Sequence, residues 1–290
     1  MNERAGYLFG LIGVVIFGLT LPATREALVG LDPLFIGLGR GVVAAAAAAL
    51  VLVATRQKWP PKRARVPLLI TSAGVVLGFP LFASLAMQHA PASHGGVVLA
   101  ILPLATAVAG VVFAGERPSA GFWVCSVAGT AAVLAFALIA GAGSEGLQLA
   151  DLLLAAATIS AAIGYATGGE LSRVMGGWQV ICWALVIAAP ISALALIITG
   201  TPVNWQAPVS AWAGFFYLAL FSQFLGFFAW YKGLALGGVA KVGQIQLLQT
   251  FVTLAAAALL LGEAVSGLEI GFALIVVVIV AIGRRVRVDR

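Results

Sequence analysis

The chain reads as a series of long apolar runs, interrupted at nearly regular intervals by short clusters of Pro, Gly and charge. Each run is about 20 residues long, the length at which a helix rising about 1.5 Å per residue crosses a bilayer's hydrocarbon core. Dividing the sequence at these clusters predicts ten helical spans near 5–27, 33–55, 66–88, 93–114, 119–141, 148–172, 177–199, 209–235, 239–262 and 266–284. Asp32 before Pro33 puts a capping carboxylate ahead of a proline at a first helical position, and Arg117-Pro118 reads as the start of a helix in the same way. Ser266 with Glu269 reads as a capping box opening the last span. The charged head before the first run resembles a signal peptide, but nine further runs follow it, so it is read as a retained first helix.

Composition sharpens this picture. Of 290 residues, 62% are hydrophobic and 9% charged, with a mean hydropathy of +1.11. An ordinary soluble domain carries about 25% charged residues, so lipid, and not water, is the expected solvent. An all-α membrane protein is predicted, with little left over for a soluble domain. Under a ten-span alternation, fourteen of the sixteen cations fall on the face that carries both termini: Arg4, Arg56, Lys58, Lys62, Arg63, Arg65, Arg117, Arg173, Lys232, Lys241, Arg284, Arg285, Arg287 and Arg290. Arg25 alone lies on the opposite face, and Arg40 lies inside the second span. By the positive-inside rule both termini are cytoplasmic. The basic clusters are topology signals, which excludes nucleic acid as a partner. Cys125 and Cys182 sit in apolar runs without CxxC or Cys/His spacing, so no disulfide, metal or other cofactor is predicted.

Residues 95–116 lie over 242–263 with one constant offset, so that Gly96 falls on Gly243, Gly115 on Gly262 and Glu116 on Glu263. The chain then divides into a first repeat, 1–145, and a second, 146–290. Five spans per repeat is an odd number, which forces the second repeat to be inverted relative to the first; transporters of that construction bind substrate at the midplane between halves. On Pro103 through Gly115-Glu116-Arg117, on Gly262-Glu263 and on Arg40 within LGRG, the sequence resembles the EamA-type family of the drug/metabolite transporter superfamily, over about 5–140 and 150–283. Thr250 stands where the family has a proline in the second half. A narrower likeness is to bacterial aromatic amino-acid exporters. The resemblance implies export of amino acids or similar metabolites and drugs by alternating access, and the expected setting is the bacterial inner membrane, with a single chain as one option for the working unit.

Polar side chains at membrane depth mark a bundle interior or a water-filled path. Gln246, Gln249, Thr250 and Thr253 follow helical spacing i, i+3, i+4, i+7, so they share one face of the ninth span, either as a cavity lining or as interhelical glue. Arg40 offers a planar fork for a carboxylate; snorkelling or pairing with Glu26 is its structural alternative. His94 is a candidate substrate contact or proton carrier, against a capping role. Nine of the 27 aromatic residues crowd between Phe215 and Tyr231. There Phe215, Phe216, Phe221 and Phe224 read as lipid-facing and Trp230 and Tyr231 as interfacial; alternatively Trp230, on the Ser222–Gly226–Trp230 ridge, walls the pathway. Thr20, Phe79, Met87 and Tyr165 complete the candidates, because Leu21-Pro22 and Phe79-Pro80 predict kinks that release backbone carbonyls. The expected cavity lies among spans 1, 3, 4, 6, 8 and 9. Glu116 and Glu263 read as structural, at the helix starts that follow them. Small-residue pairs such as Gly6/Gly10, Gly37/Gly41 and Gly164/Gly168 predict close helix contacts. No HExxH, paired mid-membrane carboxylates or repeated filter sequence is found, which argues against an intramembrane enzyme or a channel.

Overall fold

The computed structural model describes residues 3–140, 148–264, 266–283 and 288–289. Among the described residues, eight helices are long and apolar enough to cross a membrane: α1 (Arg4–Ala27), α2 (Phe35–Ala54), α3 (Lys62–Ala86), α4 (Ala92–Ala114), α6 (Leu149–Met175), α7 (Gly177–Thr199), α8 (Val209–Gly237) and α9 (Val239–Leu261). Two further apolar helices, α5 (Ala120–Ala140) and α10 (Gly267–Gly283), close the two halves of the chain. Side chains such as Val53, Ile197 and Leu259 stand 75% or more exposed on the outer faces. Such an apolar exterior fits lipid and would be an aggregation hazard in water.

Local chemistry explains most of the boundaries. Asp32 Oδ1 accepts from the backbone N–H of Leu34 at 2.8 Å and of Phe35 at 3.4 Å, as a helix cap should. Arg117-Pro118 does not open a helix. These residues pair with Val288 and Asp289 in a two-residue antiparallel ladder, and α5 starts at Ala120. The side chain of Glu269, the expected capping partner of Ser266, lies outside the described residues.

Both proline kinks release a carbonyl, and a polar side chain takes each one. Pro22 has no N–H to donate to Gly18, and the Gly18 carbonyl accepts instead from Thr253 Oγ1 at 2.8 Å. Ahead of Pro80 the helix widens into a π-helical stretch, Ser72–Gly78, where the Val75 carbonyl accepts from Gln223 Nε2 at 2.8 Å. Each kink thus ties one half of the chain to the other.

The halves interlock through glycine. α1 packs on α8 and α3 packs on α6. A Cβ on Gly6 would lie 2.8 Å from the backbone nitrogen of Gly237, and one on Gly74 would lie 2.5 Å from the Ser160 carbonyl oxygen. Only hydrogen fits there, so the helices pack backbone against backbone. In α8, Phe216 and Phe221 face outward as expected, at 45% and 48% exposure. Phe215 and Phe224 do not. Phe215 is buried and stacks on Phe35, with ring centroids 4.9 Å apart, and Phe224 is buried against Phe228. Trp230 and Tyr231 are fully buried and so are not interfacial. With aromatic rings around the whole helix, composition alone could not say which side meets lipid.

The two repeated Gly-Glu pairs play matching parts. Gly115 and Gly262 end α4 and α9 with left-handed φ angles of 65° and 64°, which glycine adopts without strain. The Glu116 carboxylate then accepts from the backbone N–H groups of Val239 and Ala240, at 2.8 and 2.7 Å. The Glu263 carboxylate accepts from those of Ala92 and Ser93, both at 3.0 Å. Each glutamate therefore caps the first turn of the opposite long helix, α9 or α4, and not the helix that follows it in sequence. Glu116 and Glu263 are 147 residues apart, as are Ala92 and Val239. The same offset relates Gly96 packed on Thr253 to Gly243 packed on Thr106.

Candidate functional site

Where α1, α3, α6 and α8 cross, beside α9, the bundle encloses a cavity lined by Phe17, Thr20, Val75, Phe79, Ala161, Tyr165, Ser222, Gln223, Phe227 and Gln249. Both halves of the chain contribute to its wall. Its free volume is about 10 Å³, roughly the centre space of a single water, so no organic solute fits without the helices moving apart. Phe17 stacks on Tyr165 with centroids 6.2 Å apart and meets Phe227 at 5.0 Å. Beside these rings Thr20 and Ser222 share a hydrogen bond of 2.9 Å, and Gln223 is tied to Val75. Gln249 Oε1 is buried with no hydrogen-bond partner.

Four of the residues singled out from sequence line this space: Thr20, Phe79, Tyr165 and Gln249. Two more border it. Trp230 is fully buried, its ring centroid 5.3 Å from that of Tyr165 and 6.0 Å from that of Phe17, and its indole N–H has no partner. Arg40 is 1% exposed, with its guanidinium carbon 6.0 Å from the centroid of the Phe79 ring. Neither snorkelling nor pairing with Glu26 occurs, since none of its three side-chain nitrogens has a hydrogen-bond partner. Gln246 lies one turn before Gln249; its carbonyl oxygen accepts from Thr106 Oγ1 at 3.3 Å and its amide nitrogen has no partner.

The remaining three candidates sit elsewhere. Thr250 donates to the Gly96 carbonyl at 3.1 Å, an interhelical tie between α9 and α4. Met87 packs on Leu21 and Gly95 at the end of α3, where its carbonyl accepts from Arg25. His94 Nε2 lies 2.7 Å from Asp151 Oδ1 and fastens the start of α4 to the start of α6. Gln223 is the main residue the sequence reading passed over. Its amide interrupts an aromatic run mid-span, the same polarity signal that picked out Gln249. Among the described residues no cluster of three His, Cys, Asp or Glu could hold a metal.

Chemically, the site combines an aromatic wall with hydroxyls, amides and one guanidinium, several of them buried without a partner. A buried polar atom left without a hydrogen bond costs about 1–3 kcal/mol, so the arrangement favours a solute that brings its own donors and acceptors. Nothing in it forms a nucleophile–base pair.

Known proteins similar to this chain include bacterial transporters. Bacillus subtilis uncharacterized transporter YdeK is 45% identical over 287 residues, covering 98% of this chain and 99% of that protein. A probable terminal-alkyne amino-acid exporter from Streptantibioticus cattleyicolor is 28% identical over 275 residues, covering 94% and 91%. A solved crystal structure with 20% identity superposes with a TM-score of 0.73 over 96% of each chain, which shows the same fold. The names of these relatives point to a transporter and not to an enzyme. The bacterial relatives, with the many apolar helices, make this a multi-pass protein of the inner membrane. The model of the EamA-like transporter family matches residues 4–138 and 148–283, and the chain belongs to that family.

Proposed function

We propose that this protein exports amino acids, aromatic or otherwise apolar, from the bacterial cytoplasm by alternating access of two inverted five-helix halves around the central cavity. One observation carries the reading: the cavity is walled by rings from both halves, Phe17 and Phe79 from the first and Tyr165 and Phe227 from the second, with the unpartnered Gln249 amide oxygen among them. A flat apolar side chain stacks on such rings, and an ammonium or amide N–H satisfies Gln249. The amino-acid exporter among the relatives supports the same substrate class.

Contacts between helix ends support ten spans with both termini cytoplasmic. Glu116 reaches Val239, Glu263 reaches Ala92, Asn204 Nδ2 donates to the Gly30 carbonyl, and Arg117 pairs with Asp289. In a ten-span alternation the members of every pair share a side of the membrane. Without α5 as a span, Glu116 and Val239 would lie on opposite sides.

The test is counterflow in proteoliposomes loaded with each of the twenty amino acids in turn. Preferred exchange of phenylalanine, tyrosine, tryptophan or leucine supports the reading. Exchange of planar drugs with no amino acid moved would assign the cavity to drugs or other metabolites instead.

A further inference from the structure

Arg40 is the feature that an aromatic cavity alone leaves unexplained. It is among the largest fully buried side chains, and none of its side-chain nitrogens has a partner. Among the described side chains, the other buried or half-buried carboxylates, Glu26 apart, are engaged elsewhere. Glu116 and Glu263 hold helix N-termini, Asp151 holds His94, Glu170 lies 3.3 Å from Arg173, and Asp32 caps its own helix. Glu26 borders an outer groove beside Ala23 and Ser210. The cavity wall contains no carboxylate. The guanidinium lies over the face of Phe79 and interacts electrostatically with Tyr165, and the hydroxyl of Ser192, beside the adjoining Gly41, is itself buried with no partner.

A buried cation without a counter-charge is strongly unfavourable, far more so than a buried neutral amide. Its stem starts in α2 just after the π-helical stretch Phe35–Gly39, in which Gly37 packs directly on the Pro80 kink of α3. The backbone thus holds Arg40 beside the cavity, and among the described residues no carboxylate pairs with it. We infer that the substrate supplies that anion. The transported solute is a carboxylate that binds the Arg40 fork in two parallel hydrogen bonds, and passage through the occluded state is charge-balanced only when that carboxylate is aboard.

Two consequences follow from charge alone. Cationic solutes are excluded, because the site already holds one positive charge and no negative one. Empty-carrier return is slow, because closing the helices strips water from an unneutralised guanidinium; exchange therefore outruns net efflux. This inference rests on the proposed substrate site but not on the substrate being an amino acid.

The experiment measures flux of labelled phenylalanine and of labelled phenylacetate in proteoliposomes, with unlabelled phenylalanine, phenylalaninamide, phenylalanine methyl ester and phenethylamine as competitors. In the wild type, the three competitors without a carboxylate should compete at least tenfold more weakly than phenylalanine. Substrate on the far side should speed flux severalfold. Arg40→Gln should erase the tenfold discrimination and the acceleration while the folded protein keeps its thermal stability, and Arg40→Lys should restore part of both. Movement of phenylacetate but not phenylalanine would sink the amino-acid reading and leave this inference standing. Movement of phenylalanine with equal competition by its amide would do the reverse. An Arg40→Gln protein that melts well below wild type, and in which Arg40→Lys rescues folding without any carboxylate preference, would make the residue structural and overturn the inference.

Discussion

The Glu116 carboxylate offers the sharpest test of how the two halves are joined. It is 1% exposed and accepts two short hydrogen bonds from the first turn of α9. Replacing it with alanine leaves both amide hydrogens without a partner, in residues that are fully buried. Hydrogen bonds to a charged group contribute about 1.5–3 kcal/mol each, and losing such a pair in one shared geometry gives a total of about 3 kcal/mol, a factor on the order of one hundred in the folding equilibrium. Glu116→Gln keeps one acceptor oxygen but turns an NH2 toward the second amide, so it should forfeit about half of that. The symmetric Glu263 is only partly buried, and solvent replaces some of what is lost; Glu263→Ala should cost about 1 kcal/mol. Reversible unfolding in mixed detergent micelles, followed by the tryptophan fluorescence of the seven indoles, reads these differences directly. The predicted order of destabilisation is Glu116→Ala, then Glu116→Gln, then Glu263→Ala. If Glu116→Ala stays within about 0.5 kcal/mol of the parent, as ordinary surface substitutions do, the cap does not hold the halves together.

Gln249→Ala should reduce solute flux by about tenfold with stability unchanged, because its oxygen lines the cavity and holds nothing else in the fold; normal flux would remove it from the site. Gln246→Ala should also lower flux but destabilise by about 1 kcal/mol, since it breaks the bond from Thr106, and a thermal melt separates the two effects. Gly74→Ala sets a Cβ 2.5 Å from the Ser160 carbonyl oxygen and should cost about 3 kcal/mol, whereas Gly267→Ala, which meets open space, should be neutral in the same assay. Gln223→Leu leaves the Val75 carbonyl without its donor and should both destabilise by about 1–2 kcal/mol and slow transport.

Much of this architecture was legible because lipid makes hydrophobic length and charge placement strict. The observed ends of α1, α2, α7, α8 and α9 fall within about two residues of the expected spans, inside the usual spread of helix-end assignment. The kinks at Pro22 and Pro80 and the release of nearby carbonyls followed from the missing proline N–H. The offset that overlays Glu116 on Glu263 also relates their hydrogen-bond partners, although only the fold revealed that each caps the opposite half. What stayed hidden was facing. Phe215 and Phe224 look like Phe216 and Phe221 in a run where every side is apolar, so only packing separates buried rings from exposed ones. Thr250 and Gln249 are neighbours on one helix, yet the first spends its hydroxyl on Gly96 and the second keeps its oxygen for the cavity. The burial of Arg40 was hidden for a related reason: position along α2 suggested a route to the interface, and the close contact of Gly37 with the α3 kink closes it.

The proposed function requires two halves that cross the membrane in opposite senses, with equivalent helix ends on opposite sides. Val29 and Val174 follow or end the equivalent helices α1 and α6, and Trp59 and Trp205 occupy equivalent loops; all four are more than 60% exposed. Single cysteines at these positions, in a background with Cys125→Ser and Cys182→Ser, should be challenged in intact spheroplasts with a membrane-impermeant maleimide. The expected pattern is labelling of positions 29 and 205 from outside and of 59 and 174 only after the membrane is broken. Labelling of 29 and 174 from the same side would contradict the inverted architecture and the shared central site with it.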